Sequence, residues 1–239
     1  MTFSRRGVIG ALAGIVALGG AAVPFLVGRG PHYLPDDTSK FAALFSAPPA
    51  ADSADTRREL DELLELQRRR TDAEVAQARA DMKKEVARFY TALGFEPQSA
   101  PSLPKLRSLT EDVESDVRAY VRAPKERFRR RRPYEIESRL DPCIGDVQGD
   151  LSYPSGHATY GYVMAYLLSE LVPERREALS KRADEFARQR MVCGVHFRSD
   201  LEAGRAGARA LIGMLHESAE FRRDAVEAAE ELRAALGLR

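Results

Sequence analysis

The sequence predicts an all-α protein: a single helical domain with a buried central helix, preceded by an export signal. Three observations carry that expectation. Ala, Arg, Leu and Glu dominate a chain with 8% aromatic residues and no tryptophan, a composition that leans toward helix. Apolar residues recur at three- and four-residue spacing in several separate stretches. No alternating strand pattern of useful length and no internal repeat competes with them. At 239 residues the chain suffices for one domain with a sizeable core. Its net charge of +1 argues against nucleic acid or an anionic membrane as a specific partner.

Residues 1–30 have the character of a twin-arginine-type signal peptide with cleavage near residue 22. Ser4-Arg5-Arg6 supplies a basic head, Gly7 to about Val27 an apolar, glycine-rich middle, and Gly20-Ala21-Ala22 a small-residue exit. An uncleaved anchor is the alternative, and it would be the chain's one link to a membrane, since nothing in its middle approaches a spanning length. Export implies a periplasmic or secreted protein.

Residues 31–239 form the helical domain. Pro31 to Pro49, rich in proline and small residues, is expected to wrap the surface as coil. From Thr56, the positions Leu60, Leu63 and Leu64 mark a helix. Thr71-x-x-Glu74 is a capping box that starts a second helix, expected to run to about Leu93 and stop at Gly94. Prolines 97, 101 and 104 enforce a loop, after which Ser108-x-x-Glu111 caps a helix carrying Val113, Val117, Tyr120 and Val121. Residues 133–154, with three prolines and two glycines, make a long ordered loop of the kind that often carries function. His157 to Leu171 is apolar on nearly every side, as a buried central helix must be. Helices at about 173–193 and 199–216 follow, and a charged amphipathic helix ends the chain.

Three segments carry chemistry. In the first, Lys125 and Arg132 stand seven residues apart, so a helix ended by Pro133 would point both from one face. Arginine offers a bidentate fork to phosphate oxygens and lysine a point charge. On its own the run from Lys125 to Arg132 is equally a solvated basic stretch. In the second, Pro154-Ser155-Gly156-His157 looks like a turn at the mouth of the buried helix. There Gly156 lets backbone approach an anion, Ser155 adds a hydroxyl, and His157 can give a proton to a leaving alkoxide. In the third, Arg190 adds a cation, while His196 and Asp200, four residues apart, can pair so that one ring nitrogen is held and the other left to attack. A metal site built from His157, His196 and Asp200 is a rival reading. Lys125, Arg132 and Arg190 would repel a divalent ion there, so neither metal nor cofactor is expected. Cys143 and Cys193 each lie near a catalytic segment, and an even pair in an exported protein invites a disulfide. Two buried thiols are the other possibility.

The three segments in this order resemble the acid phosphatase and vanadium haloperoxidase superfamily. SYPSGHATYGY and RMVCGVHFRSDLEAGR are most similar to the bacterial class A non-specific acid phosphatases. The resemblance implies an acid phosphatase that hydrolyses small-molecule phosphomonoesters without a metal. In it His196 attacks phosphorus, His157 serves as general acid and then base, and Asp200 orients His196. Lys125, Arg132, Ser155, Gly156 and Arg190 bind the phosphate. It also implies a bell-shaped pH profile on the acid side, and it allows a homo-oligomer. The alternative within the superfamily is a vanadium-dependent haloperoxidase with vanadate in the same cage. From another class, a helical module that only binds phosphorylated ligands would keep the same side chains. Two departures from the family pattern stand out: Gln189 where a serine usually precedes the arginine, and Phe197 where a tryptophan is common. The first is expected to tune the site from behind it and the second to alter its wall.

Overall fold

The structure, a computed structural model, describes residues 30–144 and 151–238. All but residue 30 of the expected export signal therefore lies outside the described residues, as does part of the long loop. Among the described residues ten α-helices follow in order: α1 (Ser39–Ala43), α2 (Ala54–Arg69), α3 (Asp72–Ala80), α4 (Tyr90–Leu93), α5 (Pro104–Phe128), α6 (Pro133–Ile136), α7 (Gly156–Leu171), α8 (Arg176–Val192), α9 (Arg198–Leu215) and α10 (Ala219–Ala235). Among the described residues there is no strand, and no helix is long and apolar enough to cross a membrane.

The expected central helix is α7. It packs chiefly against α8 and α9 and also touches α5 and α10, and Tyr160, Val163, Met164, Leu167 and Leu168 are all buried. Burial of each such side chain contributes about 1.5–3 kcal/mol, which is why a helix apolar all round must lie at the centre. Close approach of α9 depends on Gly204. A Cβ there would lie 2.9 Å from the Ser155 carbonyl oxygen and 3.1 Å from the Thr159 nitrogen, so only glycine lets α9 seat against the first turn of α7.

Pro31–Pro49 wraps the surface as expected and adds the short α1. The backbone N–H groups of His32, Tyr33 and Leu34 donate to the buried Asp116 carboxylate at 2.7, 3.2 and 3.3 Å. Tyr120 Oη donates to the Pro35 carbonyl at 2.8 Å and fastens the same segment to α5.

Three expectations need correction. The capping box of Thr71 and Glu74 forms, but the helix it starts ends at Ala80 rather than Leu93. Asp81 is fully buried and accepts from Arg88 at 3.0 Å, Arg182 at 2.5 Å and Gln77 at 3.2 Å, and the chain turns there to build that hub. A 3-10 turn (Val86–Phe89) and α4 follow, stopping at Gly94 with φ of 100°, the expected place and conformation. Second, α5 begins at Pro104, not at Ser108. Its first free N–H groups, of Lys105 and Leu106, are capped by Glu231 of α10 at 3.2 and 2.9 Å, a partner distant in sequence. Third, Lys125 and Arg132 do not share a helix. Arg129 adopts φ of 47° and closes α5, the chain runs extended, and Arg132 caps α6 with Pro133 opening that helix rather than ending the previous one.

Candidate active site

His196 sits in the turn between α8 and α9. Gly194, at φ of 65°, reverses the chain after α8, and the Val195 N–H donates back to the Arg190 carbonyl at 3.0 Å. The turn buries the imidazole, and Asp200 in the first turn of α9 comes within 3.2 Å of its Nδ1. The Asp200 carboxylate also accepts from Ser152 Oγ at 2.5 Å, the Phe197 N–H at 2.9 Å and Arg130 at 2.7 Å.

On the other side of the ring, an Arg132 Nη lies 2.6 Å from Nε2 and donates to the Val195 carbonyl at 2.8 Å. A guanidinium has no acceptor, so this contact requires the lone pair on Nε2 and the proton on Nδ1, facing Asp200. Burial first, then the charges of Arg132 and Lys125, hold the His196 pKa well below the usual imidazole value. The ring is therefore neutral, with the Nε2 lone pair turned toward the cations.

His157 is the second residue of α7. Its Nε2 lies 3.0 Å from the Met82 carbonyl oxygen, which only accepts, so Nε2 carries the proton and Nδ1 the lone pair. The imidazole is half-buried. That burial, followed by the nearby Arg190, Lys84 and Arg132 charges and opposed by the Met82 contact, pushes its pKa down to about 3.

Arg190 occupies the last turn of α8 and is 1% exposed. It donates to the Ala78 carbonyl at 2.8 Å and touches Met82 Sδ at 3.1 Å. Among the described residues its Nε has no hydrogen-bond partner, and no carboxylate comes within salt-bridge distance of the group. Burial lowers its pKa to about 10, so it remains a cation at neutral pH. The Asp81 carboxylate acts on it only from beyond salt-bridge distance, so burying this cation is costly, and an anion bound beside it would lower that cost.

Lys125, in the last turn of α5, donates to the Leu151 carbonyl. With Gly156, His157 and His196 it lines a cavity of ≈ 300 Å³. Ser155 is the N-cap of α7: its Oγ accepts from the Ala158 N–H at 3.3 Å, and its own N–H donates to the Asp200 carbonyl at 3.0 Å. The three segments thus meet, Arg132 against His196, Ser155 against Asp200, and His157 and Arg190 both against Met82. Among the described residues no three of His, Cys, Asp and Glu gather as a metal site. Cys143 and Cys193 are joined in a disulfide that ties the long loop to the end of α8 beside His196. A larger cavity of ≈ 380 Å³ between α7, α8 and α9 is lined by neither histidine.

Sequence reasoning missed Arg130 and Ser152. Arg130 spans Asp200, Ser199 Oγ at 2.7 Å and Glu59 at 2.8 Å, with its guanidinium 3.8 Å over the Phe197 ring. A usable signal existed: in an extended segment, residues two apart face one side, so Arg130 and Arg132 point together. Phe197 is fully buried beneath Arg130 and supports that network; it does not line the cavity. Gln189 is buried behind Arg190, with its Oε1 unpartnered among the described residues.

Residues 117–224 match the PAP2 superfamily, an interval that contains all three segments. The chain is 34% identical over 149 residues to a non-specific acid phosphatase of Providencia stuartii, which covers 60% of this chain and 59% of that protein. It is 38% identical over 112 residues to an acid phosphatase of Zymomonas mobilis, covering 45% and 42%. The chain's match thus spans about six-tenths or less of these relatives. A bacterial vanadium-dependent iodoperoxidase shares the fold with a TM-score of 0.59 at 20% identity, over 77% of this chain and 54% of that one.

Proposed function

We propose that this chain, which carries a PAP2 superfamily domain at residues 117–224, is an acid phosphatase that hydrolyses small-molecule phosphomonoesters through a phosphohistidine on His196. The observation that carries the reading is Arg190, a buried cation with an unpartnered Nε beside Arg132 and both histidines. Such a group calls for an anion, and the neutral His196 Nε2 faces the same space.

In the first step the Nε2 lone pair of His196 forms a bond to phosphorus as the bond to the leaving oxygen breaks. Lys125, Arg132 and Arg190 take the equatorial oxygens, with Ser155 and Gly156 at the α7 N-terminus beside them. Asp200 holds the Nδ1 proton and stabilises the charge that develops on the ring. His157, with Nε2–H kept on Met82, delivers a proton from Nδ1 to the departing alkoxide. Burial and then the cage cations depress its pKa, and a bound phosphate dianion opposes the cations' field and so favours the protonated ring. Water then attacks phosphorus, His157 accepts its proton, and the P–N bond breaks to return His196 and inorganic phosphate. Because one imidazole must be neutral and the other protonated, the rate is bell-shaped in pH, with its optimum on the acid side.

Export belongs to the same reading: the Arg5-Arg6 leader and the Cys143–Cys193 disulfide both suit a periplasmic or secreted protein. The test is release of p-nitrophenol from p-nitrophenyl phosphate in excess chelator, with and without vanadate. Chelator-resistant hydrolysis that vanadate inhibits is expected. Hydrolysis abolished by chelator, or halide oxidation with vanadate and no hydrolysis, overturns the proposal.

A further inference from the structure

The cavity holds more positive charge than one phosphate requires. Beyond Lys125 its wall includes Lys84, from the turn after α3, and Arg118 and Arg122, one helical turn apart on α5. Among the described residues no carboxylate lines it. The acidic partners sit to the side: Glu114 pairs with Lys84 and, at 3.3 Å, with Arg118, while Glu126 pairs with Arg122 at 2.6 Å. Arg118 and Arg122 are 52% and 80% exposed, so their own pairs are weak and readily exchanged for a stronger anion, whereas Lys84 and the half-buried Glu114 stay paired. Val117 and Val121 form an apolar floor between the cations.

The spacing defines what would fit. Arg118, Arg122 and Lys125 follow one face of α5, and at the helical rise Arg122 and Arg118 lie roughly 5 and 10 Å along the axis from Lys125. We infer that Lys84, Arg118 and Arg122 form a second anion subsite that selects phosphomonoesters bearing another phosphate about 5–10 Å from the scissile one. A bisphosphorylated small molecule with a short carbon skeleton over the two valines is the matching substrate class. The inference rests on the phosphatase reading for turnover but not for binding.

Two measurements test it. The first compares kcat/KM for fructose 1,6-bisphosphate and fructose 6-phosphate at low ionic strength, in the native protein and in the Arg118→Gln/Arg122→Gln variant. Both arginines are exposed, so their replacement leaves the core intact. A ratio of about tenfold or more is expected, falling to about two, the statistical factor for two scissile groups, in the variant. The ratio should also shrink at physiological salt, where screening shortens to about 8 Å. A native ratio near two, or one the double replacement leaves unchanged, overturns the subsite. The second measures binding of hexane-1,6-bisphosphonate against hexylphosphonate by titration calorimetry. Discrimination of about tenfold that the variant loses supports the subsite even if neither ester is hydrolysed, in which case the phosphatase reading alone falls. Equal binding of the two phosphonates overturns the subsite alone.

Discussion

Replacing Asp200 by asparagine removes one charge and one acceptor from a point where four donors converge. The carboxylate now accepts from His196, Ser152, Phe197 and Arg130 at 3.2, 2.5, 2.9 and 2.7 Å. An amide has one oxygen for these four. If it faces His196, the NH2 meets the Arg130 guanidinium, donor against donor. If it faces Arg130, the NH2 meets Nδ1, and the ring must move its proton to Nε2, against Arg132. In the serine-protease triad, the handling of the same tautomer by aspartate is worth about four orders of magnitude in kcat. A fall of roughly three to four orders in kcat is therefore expected for Asp200→Asn, with KM changed little because the phosphate cage is untouched. Arg130, buried and left with Glu59, also loses a counter-charge. Breaking a buried pair in this way costs about 3–5 kcal/mol, or roughly 6–20 °C in melting temperature for a domain of this size. The assay is single-turnover and steady-state hydrolysis of p-nitrophenyl phosphate, on protein whose helical content by circular dichroism matches the native. A kcat within tenfold of native would refute the assigned tautomer and the role of Asp200.

Arg190→Met should separate function from stability: activity falls by about two to three orders, as for loss of one transition-state donor, while the melting temperature holds or rises because a buried cation with an unpartnered Nε and no carboxylate in salt-bridge distance is gone. Gly204→Ala should lower both together, since the new Cβ would press on the Ser155 carbonyl at 2.9 Å and shift the turn that carries His157; a soluble variant of native activity would contradict that packing. The His157 and His196 imidazoles both have folded pKa values below their unfolded one of about 6.5. The unfolded chain thus binds more protons below that pH, so their effect on stability is constant above about 6.5 and turns unfavourable as pH falls toward 3. Thermal melts from pH 7 to 4 should show this decline, and inorganic phosphate should lessen it by favouring protonated His157.

Much of this was readable where local signals and tertiary needs agree. The apolar run from His157 to Leu171 could only be a central helix, and Thr71 with Glu74 and Gly94 marked real chain punctuation. What stayed hidden depended on distant partners. Asp81 breaks a helix to collect Arg88 and Arg182, and Glu231 caps a helix that begins more than a hundred residues earlier. Arg130 lay in a basic run whose spacing suggests a solvated helix face. The left-handed Arg129 alone converts that run into an extended segment with two buried arginines side by side.

The proposed covalent bond from His196 Nε2 to phosphorus can be trapped directly. Protein mixed with substrate, quenched in alkali to preserve an acid-labile phosphoramidate and digested, should yield a phosphorylated peptide containing His196. The Asp200→Asn protein should yield less of it and His196→Ala none. A phosphoryl group on any other residue, or turnover in His196→Ala, would contradict the account.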